Sequence, residues 1–318
     1  MKYSLLKIKN LKPVLPIIQG GMAVRVSTGK LAGTVAKYGG IGTIGASGMS
    51  QEEIKEEIFI AKKIAEGNGL VAVNMMVAAA EFTEMIHAII EAKPDLIVCG
   101  AGFSKDVFHM AKAADIAFAP VVSSAKAAAL GVKLGADMII VEGKEAGGHL
   151  GTDRPMKEIL KEVLDIVGGK IPVIGAGGVL HGSDICEVLK MGASGVQMAT
   201  RFVMSEESNV HDNFKNYYLN HTAKDMAIFL SPVGYPGRAI MTKLLDSVES
   251  GKAGKFPCKY QCLKSCNHRF CIIEALQNAQ KGNVDDGIVF TGERFPEIKS
   301  VLPVKTIIET LVKEMDAC

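Results

Sequence analysis

Ile171-Pro172-Val173-Ile174-Gly175 is a short, nearly continuous apolar run that leads into Ala176-Gly177-Gly178. That is how a parallel strand reads when both of its faces are covered. Runs of the same kind recur at Pro16–Gln19, Ile41–Ile44, Leu70–Asn74, Asp95–Cys99, Ile116–Pro120, Asp137–Glu142 and Gly195–Met198. Between them lie stretches with helical spacing. In Gln51–Glu66, Ile54, Ile58, Ala61, Ile64 and Ala65 fall on one face, with Lys and Glu opposite. Ser50 stands before this stretch as an N-cap, with Glu53 in the capping-box position.

Eight β–α alternations in a row predict an α/β fold, a TIM (β/α)₈ barrel. A doubly wound sheet is the competitor, but it would more often stop at five or six strands. After the eighth run the pattern changes. Residues 205–293 hold helical stretches, a Pro/Gly turn at Ser231–Arg238 and a group of cysteines, with no further strand series, so they predict a helical cap inserted after strand eight. Residues 1–204 and 294–318 would then form the barrel. Pro303–Met315 is amphipathic through Val304, Ile307, Ile308, Leu311 and Val312 and is expected to close it as the last helix.

Composition limits the functions open to the chain. Its 318 residues are 48% hydrophobic and 22% charged, enough for a large core. A net charge of +2 implies no strong attraction to nucleic acid or an anionic membrane. With no Trp, 12 Phe and 6 Tyr, the chain lacks material for stacking single-stranded bases. The start, MKYSLLKIKNLKPVLPIIQGG, has no long apolar region with a small-residue cleavage site, so no signal peptide is read. No membrane span is expected either. Seven cysteines are an odd number, and Cys99 and Cys186 sit in apolar patterns. A disulfide framework is therefore not expected, and a reduced cytoplasm is.

In a barrel of this type, function sits where the strands end. Those ends are rich in glycine: Gln19-Gly20-Gly21-Met22, Gly45-Ala46-Ser47-Gly48, Glu142 to Gly151, and Gly175-Ala176-Gly177-Gly178-Val179. Strand three ends on Asn74, and strand eight runs into Gln197-Met198-Ala199-Thr200-Arg201. The loops after strands seven and eight commonly bind phosphate. There Gly177 and Gly178 would let backbone N–H groups approach it, and Thr200 would add a hydroxyl. The same glycines could instead serve only tight turns. Gly40-x-Gly42-x-x-Gly45 spells a dinucleotide fingerprint, but it lies within a strand and no acidic residue follows at the right strand end.

Taken in order, these segments resemble a known family. Ile17-Ile18-Gln19-Gly20-Gly21-Met22, EGKEAGGHLG from Glu142 to Gly151, Pro172 to Gly178, Gln197 to Phe202, and Gly234-Tyr235-Pro236-Gly237-Arg238 are similar to the nitronate monooxygenase (2-nitropropane dioxygenase-like) family. They are equally similar to the related FMN-dependent enoyl-acyl-carrier-protein reductase II. The resemblance runs from about Leu15 to Glu293 and implies a barrel with FMN bound non-covalently at its mouth. It places Gly21, Met22 and Asn74 at the isoalloxazine ring, and Gly177, Gly178, Gln197, Ala199 and Thr200 at the phosphate. Gly147 and Gly148 would bring amides near flavin or substrate. Glu142 counts among the cofactor contacts, and His149 stands in the active site facing the flavin.

A histidine suits proton management near neutral pH. It could serve alkyl nitronate oxidation, the first function the resemblance implies. It could equally polarise a thioester carbonyl in an NAD(P)H-dependent reduction of an enoyl or other activated C=C bond. The bland alternative is a histidine that caps a loop. A phosphosugar aldolase would need a Schiff-base lysine, for which Lys144 is a weak candidate.

Cys258-x₃-Cys262-x₃-Cys266-x₄-Cys271 departs from the family pattern. Four thiolates this close can hold a [4Fe–4S] cluster or structural zinc, although the spacing matches neither common run. Free thiols in the cap are the alternative. A homodimer is the default oligomer for such an enzyme, and a small molecule is the expected partner.

Overall fold

The computed structural model describes residues 6–254 and 256–318. The part of the signal-peptide reading that rests on residues 1–5 lies outside them. Eight parallel strands close into a barrel. They are β1 (Ile17–Gln19), β2 (Ile41–Gly45), β3 (Leu70–Met76), β4 (Leu96–Gly100), β5 (Ala117–Val122), β6 (Ile139–Glu142), β8 (Val173–Ala176) and β9 (Gly195–Met198). β9 pairs back onto β1 through Ile17↔Val196 and Gln19↔Met198. A short strand β7 (Gly148–His149) lies off the barrel, after β6. Each of the eight predicted runs became a barrel strand.

The two-residue period of a strand sorts the core into two shells. Ile18, Ile41, Ala72, Val98, Ala119, Ile140 and Ile174 point inward and fill the barrel, joined by Leu6 and Ile8. Their neighbours Ile17, Val71, Val73, Ile97, Ile139 and Val141 point outward and meet the helices. Helix Gln51–Ala65 buries Ile54, Ile58, Ala61 and Ala65, and the Ser50–Glu53 capping box is formed. Gly42, within the apparent dinucleotide fingerprint, lies in β2, where an added Cβ would stand 1.8 Å from the Ala32 carbonyl oxygen. It serves helix–strand packing. Helix Val304–Asp316 buries Val304, Ile307, Ile308, Leu311 and Met315 and packs on helices Gly29–Lys37 and Gly182–Lys190, completing the outer ring.

Two expectations need correction. The region after β9 is not purely helical. β10 (Met226–Leu230), β11 (Pro236–Ile240) and β12 (Val289–Phe290) form an antiparallel sheet, and β7 joins it by pairing with β11. The Ser231–Arg238 turn signal is thus largely a hairpin, whose strands are too short and irregular to show a two-residue period. Cys186 is also not merely an apolar filler: it is disulfide-bonded to Cys318, with Cα atoms 6.5 Å apart. The bond ties helix Gly182–Lys190 to the last residue. No helix among the described residues is long and apolar enough to cross a membrane.

Candidate active site

The strand ends open into a chamber of about 520 Å³, lined on its far side by the cap. Gly21, Met22, Asn74, Glu142, Gly147, Gly148, His149, Gln197, Ala199 and Thr200 all line it. A side cavity of about 60 Å³ continues from it and shares Glu142, Gln197, Ala199 and Thr200. Gly177 and Gly178 line that annex. Every residue expected to contact cofactor therefore borders one connected space. Lys144 borders neither cavity.

Glycine backbone forms part of the annex, beside the side chains of Glu142, Glu145, Gln197, Glu293 and Arg294. Gly177 and Gly178 hold φ of +104° and +72°, a region L side chains rarely enter. A Cβ on Gly178 would stand 3.2 Å from Glu145 Cβ. The N–H groups of Gly177, Gly178 and Ala199 donate to no backbone acceptor in the loops and turns of the described residues. Arg294 braces the turn by donating to the Gly178 carbonyl at 2.7 Å while pairing with Asp184 at 2.9 Å. Glu145 accepts a hydrogen bond from the Met156 N–H at 3.0 Å.

His149 sits on β7, opposite Gly237 of β11. Its Nε2 lies 2.7 Å from Ser231 Oγ, and its ring meets Phe290 edge-on at 5.2 Å. Burial pushes its pKa down to about 4, so the imidazole is neutral at physiological pH. Burial pushes Glu142 the other way, up to about 7. Both keep some surface toward the chamber but are otherwise walled in by protein. The chamber lining contains no Lys, Arg or Asp. Its cap side is apolar, through Leu263, Ile272, Ile273, Leu276, Ile288 and Phe290.

Ser231, Phe290 and Arg294 carry no motif that would have marked them. Ser231 lies in an ordinary turn pattern, and only the β7–β11 pairing brings it to His149. Arg294 comes from beyond the cap and is brought to the annex by the chain's return to the barrel.

The four cysteines expected to hold a metal do not stand as a gathered ligand set. Among the described residues no group of three or more His, Cys, Asp or Glu side chains could hold a metal ion. The cysteine loop is strung between barrel and cap. Leu263 bridges Ala79, Lys264 N–H donates to the Ala78 carbonyl, and Asn267 N–H donates to the Pro232 carbonyl. Cys258, Cys262, Cys266 and Cys271 are free thiols along it, and only Cys262 reaches the chamber. Burial raises the Cys262 thiol to about 11, so it stays protonated.

A family model described as nitronate monooxygenase matches residues 60–314. A Rhodococcus jostii (strain RHA1) protein, (3aS,4S,5R,7aS)-5-hydroxy-7a-methyl-1-oxo-octahydro-1H-indene-4-carboxyl-CoA dehydrogenase, is 32% identical over 74% of this chain. The match spans 65% of that protein's length. A probable nitronate monooxygenase of Staphylococcus aureus (strain JH9) is 25% identical over 95% of this chain and 94% of its own. Among solved structures, FabK from Thermotoga maritima superposes with a TM-score of 0.85 at 28% identity, covering 96% of this chain and 94% of that one.

Proposed function

Because the chain belongs to the nitronate monooxygenase family of oxidoreductase enzymes, we propose that it binds FMN and reduces an activated C=C bond in a neutral acyl substrate, with NAD(P)H as donor. The fit to FMN rests on the cavity. A chamber of about 520 Å³ with a small annex lies in the usual range for a cofactor site. Free amides and positive-φ glycines shape the annex for a phosphate. Gly148 at φ +78° has nothing within 4 Å of where a Cβ would stand, so its backbone faces open space.

Gly177, Gly178, Gln197, Ala199 and Thr200 would hold the phosphate, Gly21, Met22 and Asn74 the ring, and Glu142 would lie beside the cofactor. When bound, the flavin would supply hydride transfer between nicotinamide and substrate. The chain's own task is to orient the acyl group and to polarise it. His149 would donate a hydrogen bond to the acyl oxygen as negative charge develops there. The apolar cap residues exclude water, which strengthens that bond.

One observation carries the choice of a neutral substrate: the chamber lining has no cation, and His149 is uncharged. A nitronate anion would be desolvated there without a partner, which costs several kcal/mol (about 2–5) by analogy with unpaired buried charges. The CoA ester named for the Rhodococcus relative agrees with an acyl substrate. Nitronate oxidation is the second reading, favoured by the Staphylococcus relative, which matches over 95% of this chain. Two measurements separate them. Anaerobic NADH or NADPH should bleach the flavin, and an enoyl thioester should restore its colour. Oxygen uptake on propyl-2-nitronate, with no bleaching by either nicotinamide, would establish the second reading instead.

A further inference from the structure

We propose that Ser231 fixes the tautomer of His149, so that the imidazole presents Nδ1–H to the substrate as a hydrogen-bond donor and not as a base. Ser231 is fully buried. Its Oγ accepts a long contact from the Val233 N–H at 3.4 Å. Its carbonyl is taken by Asn267 Nδ2 at 2.9 Å and by the Gly234 N–H. The hydroxyl therefore has one proton to place, and among the described residues the only acceptor beside it is His149 Nε2, 2.7 Å away. Leaving a buried hydroxyl proton without an acceptor costs about 1–3 kcal/mol. If Nε2 carried the proton instead, two donors would face one oxygen and the serine proton would be stranded.

The serine proton thus occupies Nε2 and leaves the imidazole's own proton on Nδ1. Nδ1 has no partner among the described residues. Nor is it one of the side-chain atoms buried without a partner, so it opens onto the chamber that His149 lines. A neutral donor of this kind stabilises charge on an acyl or nitro oxygen without transferring the proton. It cannot abstract one, because its second nitrogen is already occupied. Ser231 itself touches no substrate and is a positioning residue. Asn267, next to Cys266 in the cysteine loop, holds the Ser231 carbonyl and so sets the direction of the hydroxyl.

This inference rests on the reading of His149 as the group that faces the substrate. Its test reads the proton directly. The FMN-loaded protein labelled with ¹⁵N-histidine is examined by long-range ¹H–¹⁵N correlation, with His149 assigned by its disappearance in His149→Ala. The expected spectrum shows a protonated Nδ1 and a bare Nε2. Ser231→Ala should move the proton toward Nε2 and lower kcat about tenfold with little change in KM, and Ser231→Thr should restore both. A proton on Nε2 in the unaltered protein, or an unchanged tautomer in Ser231→Ala, overturns the proposal. The spectrum of the unaltered protein decides even if Ser231→Ala fails to fold. It also needs no turnover, so a wrong substrate leaves it readable.

Discussion

His149 stands opposite Gly237 in an antiparallel ladder, with Gly148 opposite Arg238 beside it. A backbone pair, not a flexible loop, therefore sets the position of the imidazole. Replacing His149 by alanine should leave the fold and flavin content intact and lower kcat about 10²–10³-fold, the usual cost of removing one donor aimed at a developing charge. Steady-state kinetics on the flavin-loaded variant would check this. Retention of full kcat would make the residue a mere loop cap.

His149 and Glu142 should impose opposite pH slopes on stability. His149 has a folded pKa of about 4, below its unfolded value. The unfolded chain therefore takes its proton first, and stability present above pH 6.5 is lost as the pH falls toward 4. Glu142 has a folded pKa of about 7, above its unfolded value. Its contribution is present below about pH 4.5 and lost as the pH rises through 7. Each spans up to about 3 kcal/mol, and the two largely offset each other. Urea unfolding of flavin-free protein should show Glu142→Gln gaining on the parent between pH 5 and 7.5. His149→Ala should gain as the pH falls below 6.5. Parallel curves for all three proteins would contradict this.

Gly177 should not tolerate a side chain. At φ +104°, with Ala146 N 3.2 Å from the position of an added Cβ, alanine is strained and crowds the annex. Gly177→Ala should weaken FMN binding at least tenfold, or about 1.4 kcal/mol. Fluorescence titration of flavin-free protein with FMN would measure it, and riboflavin, which lacks the phosphate, should lose far less.

The Cys186–Cys318 bond closes a loop with a sequence separation of 132 residues. Breaking it by Cys318→Ser should cost about 2–4 kcal/mol of stability under oxidising conditions. Turnover should be unchanged, because both residues lie away from the chamber. Equal melting temperatures with and without reductant would show that the bond contributes nothing.

Protein purified without oxygen should show flavin absorption and no broad iron–sulfur shoulder, since the four cap cysteines do not gather around a common centre. Metal analysis returning iron in proportion to protein would contradict this.

The barrel was legible because a parallel strand buried on both faces leaves a mark in one dimension, as Ile171–Gly175 shows. Its glycine-rich ends were legible for a related reason: Gly177 and Gly178 serve a backbone shape that few other residues can adopt. Ser231, Phe290 and Arg294 were not, because each reaches the site through pairing across long sequence separations. The cap sheet was hidden too. β12 and β7 are two residues long, and β7 is borrowed from the loop after β6. The cysteine spacing could not show that the loop carrying it would be anchored at Ala78, Ala79 and Pro232.

The borrowed strand also ties the cover to the floor. Since β7 belongs to the loop after β6 yet is stitched to β11, the cover cannot swing away as a hinged lid without breaking its own seam.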